Sequence, residues 1–435
     1  MTHRHDRALH VGALARVEGE GAMHVRIDGG AVTDVRLQIY EPPRFFEAFL
    51  RGRGHTEPPD ITARICGICP VAYQMSACLA IEDACGVAVG APIAELRRLL
   101  YCGEWISSHA LHVYLLHAPD FLGYPGVVEM ARDHRGAVER GLALKQAGNA
   151  VLELVGGRAI HPVNVRVGGF YRAPAPEDLR ALARDTLRPA LDHALATVEW
   201  VAGFDFPDFT TGRELLALTD TGRYPIDRGE PRTSTGRAFR VQDFERNIVE
   251  TQAEHSTALH ASLTGGGAGA YLTGPVARYA LNHAVLSPLA KEAAAAAGLG
   301  PRCDNPFRSI LVRAVELVYA VDEVLRLIEA YRPPEPPHVP VPPRAATGYG
   351  ATEAPRGTLF HRYELDGAGT IRGARIVPPT SQNQPAIEDD LRRFVQDRLD
   401  LGDARLTAAC EQAIRNYDPC ISCATHFLDL TVERT

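Results

Sequence analysis

The stretch Arg64-Ile-Cys66-Gly-Ile-Cys69-Pro70-Val71-Ala-Tyr73-Gln-Met75-Ser-Ala-Cys78-Leu79-Ala-Ile-Glu-Asp-Ala-Cys85-Gly86 reads as a Cys-x-x-Cys pair set at the entrance of a helix. Pro70 suits the first helical turn, where its missing N–H costs nothing. Val71, Met75, Cys78 and Leu79 then give an apolar face ending near Gly86. Thiolates at a helix N-terminus are stabilised by the dipole and by N–H groups with no helical partner. Cys66 and Cys69 are therefore expected to ionise and bind metal readily.

Upstream, residues 8–40 alternate apolar and polar. Met23, Val25 and Ile27, then Val35, Leu37 and Ile39, flank Asp28-Gly29-Gly30, which is a hairpin signal. Downstream, about 90–331 reads mainly helical: Leu96, Leu99 and Leu100, and later Ile310, Leu311, Ala314, Leu317 and Val318, recur at helical spacing. The proline-rich run 333–343 cannot be helix and reads as an extended connector. Residues 346–384 look like short strands and turns, and Leu406, Ala409, Cys410, Ala413 and Ile414 mark a last amphipathic helix. No internal repeat is present. The expected fold class is α+β, mainly α: a long-helix bundle core with small β hairpins near the N-terminus and after the connector. One domain over 1–435 is expected. It divides into an N-terminal hairpin and short helix (8–60), a helical body (61–332), the connector (333–345) and a β segment with a C-terminal metal-binding box (346–435).

The 435 residues are 46% apolar and 23% charged with net charge −7, the balance of a soluble globular protein and a poor match to nucleic acid. No run approaches the roughly 20 apolar residues of a membrane helix, and no apolar run follows the charged N-terminus, so neither membrane insertion nor a secretory signal is expected. His3, His5 and His10 read as a polar tail. The nine cysteines are odd in number, which speaks for a reducing, cytoplasmic setting and against a disulfide framework.

The second pair is Asp418-Pro-Cys420-Ile-Ser-Cys423-Ala-Thr-His426. Four soft thiolates suit zinc, an iron–sulfur cluster, or nickel with low-spin iron. Zinc modules usually close a short loop, whereas here the second pair begins 351 positions after Cys69. Cys78, Cys85 and Cys410 fall on apolar helix faces and read as packing residues. Cys102 and Cys303 carry no spacing signal.

These two boxes resemble the signatures of nickel–iron hydrogenase large, catalytic subunits. So do Arg16-Val-Glu18-Gly19, Phe46-Glu47-Ala-Phe-Leu-Arg-Gly-Arg53, Ser108-His109-Ala-Leu-His112 through Asp120-Phe121, Gly156-Gly-Arg-Ala-Ile-His-Pro162 and Glu353-Ala-Pro-Arg356-Gly357, in order along the chain. The short length and the wording of the first box resemble the soluble sulfhydrogenase or NAD(P)-linked branch. The resemblance implies reversible heterolytic cleavage of H2 at a Ni–Fe(CO)(CN)2 centre. Cys66 and Cys420 would be terminal nickel ligands, and Cys69 and Cys423 would bridge nickel to iron. Pro355, Thr380 and Tyr73 would surround the centre. Arg356 would stand over the metals as a fixed cation, with Asp120 and Asp418 as its counter-charges. A proton released at Cys420 or Arg356 would leave through Glu18, a role that needs a pKa raised by burial. Glu47 and His426 would hold Mg2+ or Fe2+. His109, His112 and His117 read as satisfied core or surface residues.

Two departures stand out. Tyr73 occupies a position where the family commonly has a histidine bonded to a bridging sulfur; a phenol donates one hydrogen bond but carries no positive charge. The chain also continues past His426, where many relatives are cut by an endopeptidase, and Leu428, Leu430 and Val432 alternate like a strand. After the four ligands no Cys-x-x-Cys remains, so an iron–sulfur small subunit must carry electrons. No Gly-x-Gly-x-x-Gly follows a plausible strand, which leaves NAD(P) and FAD to flavin and iron–sulfur diaphorase subunits. Maturation proteins are implied by the CO and cyanide. The alternatives are an H2-sensing regulatory subunit and a structural zinc protein.

Overall fold

In a computed structural model of the chain, which describes residues 6–265 and 269–425, helix α1 (Pro70–Cys85) lies in the centre. Every residue of it except Leu79 and Asp83 is buried, so the single apolar face expected from the sequence is replaced by a helix enclosed on all sides. Its alanines and Ser76 allow that enclosure. A Cβ on Gly348 would come within 2.1 Å of the Ala80 carbonyl, and one on Gly350 within 2.5 Å of the Ser76 carbonyl, so the strand carrying these glycines lies directly on the helix.

Helix α1 packs on α2 (Ala91–Leu111), which with α3 (Arg135–Gly156), α4 (Arg188–Ala202) and α5 (Ser309–Glu329) forms the long-helix bundle that the sequence implies. Helix α2 runs on through a widened helical turn, His112–His117, toward Asp120.

Strands β1 (Arg7–Val11), β2 (Gly21–Asp28) and β3 (Ala31–Ile39) form an antiparallel sheet with Leu9 opposite Val25 and Met23 opposite Leu37. The expected hairpin is therefore β2–β3, and β1 is an added strand. The helical body expected to continue to about 331 is interrupted after α4 by two hairpins, β4 (Leu216–Thr219) with β5 (Glu230–Thr233), and β6 (Ile248–Gln252) with β7 (Leu259–Leu263). Thr210-Thr-Gly212 and Thr219-Asp-Thr-Gly222 supply the turns and breakers that end helical periodicity there.

After the extended proline-rich segment come β8 (Ala346–Ala354), β9 (Gly357–Leu365) and β10 (Ile371–Val377), an antiparallel sheet whose first hairpin turns through Pro355 and Arg356. Helix α6 (Pro379–Gln396) follows, where strands and turns are expected to 384. Its first turns read as loop because they are polar, yet those side chains are buried and bonded: the Gln382 amide donates to the Thr358 carbonyl at 2.7 Å, and the Asn383 oxygen accepts from the Thr273 N–H at 2.9 Å. Apolar spacing begins only at Ile387, and Ile387, Leu391 and Phe394 join Leu406, Cys410 and Ile414 of α7 (Asp403–Arg415) beneath the β1–β3 sheet. Among the described residues, no helix is long and apolar enough to cross a membrane.

Candidate metal centre

The fold closes the 351-residue gap between the two boxes. Cys69 immediately precedes α1, Cys420 sits beside Glu18 in a short parallel bridge, and Cys423 lies on the helical turn Ile421–Ala424. The Cys66 and Cys420 sulfurs are 3.4 Å apart, Cys69 and Cys423 3.5 Å, and Cys420 and Cys423 2.8 Å. All four residues are buried, with the sulfurs within 4.8 Å of one another, and no two of the nine cysteines are joined by a disulfide. Arg44 ties the boxes together: its guanidinium donates to the Ile65 carbonyl at 2.7 Å and to the Ser422 carbonyl. Cys78 and Cys410 are buried packing residues, as expected, and burial pushes both thiols up to about 12.

Electrostatics mark the four-sulfur pocket as made for cations. Hydrogen bonds from Cys420, Cys423 and Cys69 hold the Cys66 thiol well below its ordinary range. Burial, and then the neighbouring sulfurs, push Cys420 up; burial also raises Cys423, against hydrogen bonds from Cys420 and Cys69. Thiols crowded together in a buried pocket resist ionising together, and a bound cation removes that opposition.

Arg356 is delivered to this pocket by the β8–β9 turn. Arg278 donates to the carbonyls of Ala354 (2.7 Å) and Pro355 (2.9 Å), fixing the turn from beneath. Gly274 allows the close approach, since a Cβ there would lie 2.8 Å from the Arg356 carbonyl. Arg356 Nε donates to the Asp418 carbonyl at 3.0 Å and Nη2 to Asp418 Oδ1 at 3.1 Å. Burial opposes its charge, but Asp418 and the sulfurs of Cys420, Cys69 and Cys66 outweigh that and keep it charged. Its Nη1 and Asp418 Oδ2 are buried with no hydrogen-bond partner. A four-sulfur donor set with an orphaned guanidinium N–H beside it fits a metal centre whose further ligands accept hydrogen bonds.

Asp120, expected as a second counter-charge, meets other cations directly. Its carboxylate binds Arg415 at 2.7 and 2.8 Å and Arg16, and makes no hydrogen bond to Arg356. It clamps the N-terminal box to the residues before the second cysteine box. Arg16 is quoted in the sequence only as part of its box, with no role, and Arg415 and Arg44, each a few residues from a quoted motif, went unread.

Glu18 Oε2 accepts from the Cys420 thiol at 3.2 Å and from the Ser422 N–H at 3.1 Å. Burial first, then the charge of Cys66, raises its pKa. Ser422 Oγ donates to Glu41 Oε2 at 2.9 Å, so the residue whose N–H bonds Glu18 has its hydroxyl on a second, partly exposed carboxylate. Ser422 and Glu41 also escaped the sequence reading.

Thr380 Oγ1 accepts from the Cys420 N–H at 3.0 Å. Tyr73 is fully buried on α1, its ring 5.7 Å from that of His361. Burial, then Cys423 and Cys69, pushes its phenol well above the usual range and keeps it a neutral donor beside the sulfurs. Glu47 is buried, accepts from the Ile376 N–H at 2.8 Å and has Arg375 3.8 Å away. His426 and the strand-like tail lie outside the described residues. His109, His112 and His117 are all in the core; His112 bonds the Arg415 carbonyl at 2.9 Å, whereas neither ring nitrogen of His117 has a partner.

Comparison with known proteins agrees with this geometry. The sequence profile of the family described as "Nickel-dependent hydrogenase" matches residues 44–139 and 314–426, which contain both cysteine boxes and the Arg356 turn. The chain is similar to sulfhydrogenase 2 subunit alpha of Pyrococcus furiosus, with 34% identity over 96% of this chain and 98% of the relative. Similarity to the NAD-reducing hydrogenase HoxS subunit beta of Cupriavidus necator is 28% over 97% and 95%. A crystal structure of an NAD+-reducing [NiFe]-hydrogenase in the H2-reduced state superposes with a TM-score of 0.85 at 27% identity, covering 97% of this chain and 99% of that one. A Ni-Fe-Se hydrogenase from Desulfomicrobium baculatum shares the fold, with a TM-score of 0.77 at 20% identity over 97% and 100%. With full-length identity at this level and both boxes folded into one buried pocket, the chain belongs to the nickel-dependent hydrogenase family.

Proposed function

We propose that this hydrogenase splits and forms H2 in the pocket of Cys66, Cys69, Cys420 and Cys423, as the catalytic subunit of a larger complex. The convergence of four buried sulfurs on one point, from opposite ends of the chain, carries the reading. A nickel–iron centre with CO and cyanide on iron, held there by the four sulfurs, supplies the heterolytic chemistry when bound. The protein's own groups do the rest. The Arg356 guanidinium, held by Asp418, presents one N–H to the pocket as a preorganised cation. Cys420 Sγ holds the released proton and passes it to Glu18 Oε2, from which it leaves the site. Tyr73, Pro355 and Thr380 shape the pocket and exclude water. Glu47, with His426, is assigned to a magnesium or ferrous ion at the C-terminal box.

The electrons pass to an iron–sulfur small subunit. The other five cysteines are buried and scattered, and among the described residues the only cysteine cluster is the four-sulfur one. Ile160, Val163 and Tyr171, exposed apolar side chains after α3, give a docking face for such a partner. The sulfhydrogenase and NAD-reducing relatives support NAD(P) or sulfur as the final acceptor, through flavin-bearing diaphorase subunits. We also take the whole chain as one folding unit working in the cytoplasm, on its odd cysteine count and the resemblance to the NAD(P)-linked branch. Metal analysis and infrared spectroscopy of the mature complex test the proposal. One nickel and one iron per chain with CO and cyanide bands support it; one zinc and no such bands end it.

A further inference from the structure

Behind the C-terminal cysteine box, the turn between β6 and β7 meets helix α6. His255 stands in that turn, His260 on β7 opposite Thr251, and Glu388 on α6. His255 Nε2 is 2.7 Å from Glu388 Oε1, and the two imidazole rings are 5.5 Å apart and nearly perpendicular. One ligand atom from each of the three residues lies within 4.8 Å of the others. The His255–Glu388 contact leaves His260 Nε2 buried with no hydrogen-bond partner, a cost of about 1–3 kcal/mol in a packed interior. The Leu37 N–H orients the same Glu388 oxygen at 2.8 Å, and the further charge acting on that carboxylate is Asp389, another anion.

We propose that His255, His260 and Glu388 bind a divalent transition-metal ion of the zinc class, a site separate from the four-sulfur centre. Two imidazoles with one carboxylate favour such an ion over magnesium or calcium, which prefer all-oxygen sites. An ion here uses all three groups at once and satisfies His260, which the hydrogen-bonded pair alone does not. Three protein ligands, partly open to solvent, leave a place for water. The ion fastens two supports of the C-terminal box. Helix α6 carries Thr380, bonded to the Cys420 N–H, and Ala258 of the same turn packs with Ile421 and Ala424. Its role is structural, with no redox step.

The test uses the mature complex, with nickel and iron counted separately so that failure here is distinct from failure of the hydrogenase reading. Added Co2+ is expected to bind at one equivalent and give visible ligand-field bands without thiolate-to-cobalt charge transfer. Zn2+ is expected to compete with it and to raise the thermal midpoint. His260→Gln and Glu388→Gln should each lose that equivalent and the Zn2+-dependent rise while keeping nickel and iron. Absence of cobalt binding, a charge-transfer band, or unchanged binding in both variants overturns the site. Should a variant fail to fold, the wild-type cobalt spectrum decides alone.

Discussion

Glu353 and Arg356 stand three positions apart on one hairpin, yet they belong to two differently built clusters of buried charge. Glu353 joins Arg278 and Glu316, where every polar atom on the shared surfaces is matched. Arg278 spends its three nitrogens on Glu316, Glu353 and the carbonyls of Ala354 and Pro355. Glu353 also accepts from the Leu218 N–H and Thr358 hydroxyl, both at 2.8 Å. Burial alone would push the Glu316 carboxyl up, but Arg278 and His109 outweigh it and hold it at about 2. Around Arg356, whose charge lies close to the sulfurs, the matching stops short: its Nη1 and Asp418 Oδ2 are buried with nothing to bond. A buried network that is complete within the protein fixes the fold; one that lacks partners on a single side is shaped around something the chain does not encode.

Breaking the complete cluster should have the larger effect. Glu316→Ala leaves Arg278 buried beside one carboxylate instead of two, a loss of about 3–5 kcal/mol. Thermal denaturation should show a chain that unfolds far below wild type, with metal content falling in step. A midpoint close to wild type would show that the cluster does not govern stability. Arg356→Lys makes the opposite cut. Nickel, iron and the thermal midpoint should stay near normal while H2 turnover falls about 100- to 1,000-fold, because a flexible ammonium cannot reproduce the anchored fork. Normal turnover in the metallated variant would reduce Arg356 to a structural residue.

Glu18→Gln separates chemistry from proton exit. Exchange between H2 and deuterated solvent, and net H2 oxidation, should fall together by about 100-fold. Unchanged exchange would show that protons leave by another route, with Asp418 the nearest candidate. The smallest effect is expected at His117, whose ring packs on His112 and Phe121 with both nitrogens unpartnered. His117→Phe should be neutral or stabilise by about 1 kcal/mol. Burial first, then His112, holds the His117 imidazole well below 6.5, so the folded chain keeps it neutral. As pH falls through 6.5 the unfolded chain takes up a proton that the folded chain does not, and stability drops. In the variant that part of the acid sensitivity should vanish from thermal midpoints measured between pH 7 and 5. Lost activity instead would make His117 part of the working site.

The cysteine boxes and the β2–β3 hairpin are legible in the sequence because spacing and alternation are local signals. Helix α6 was not, since its first turns bury Thr380, Gln382 and Asn383 and so lack an apolar stripe. The glycines of β8 carry no periodicity, yet they set how close the sheet comes to α1. Pair choice was the least legible. Asp120 and Asp418 look alike as counter-charges in one dimension, and only the fold shows Arg16 and Arg415 taking the first and Arg356 the second. Ser422 and Glu41 become connected only when β3 and the C-terminal box meet.

The sulfur pocket joins residues 354 positions apart, Cys66 with Cys420 and Cys69 with Cys423. At ribosomal speeds of about 5–20 residues per second, the second pair emerges roughly 20–70 s after the first. Throughout that interval the nascent helix α1 presents two thiols to the surroundings, and Arg44 has no Ser422 carbonyl to hold. The centre is therefore among the last parts of the molecule to be completed, and its vulnerability to premature oxidation is set by the time taken to synthesise the helical body between.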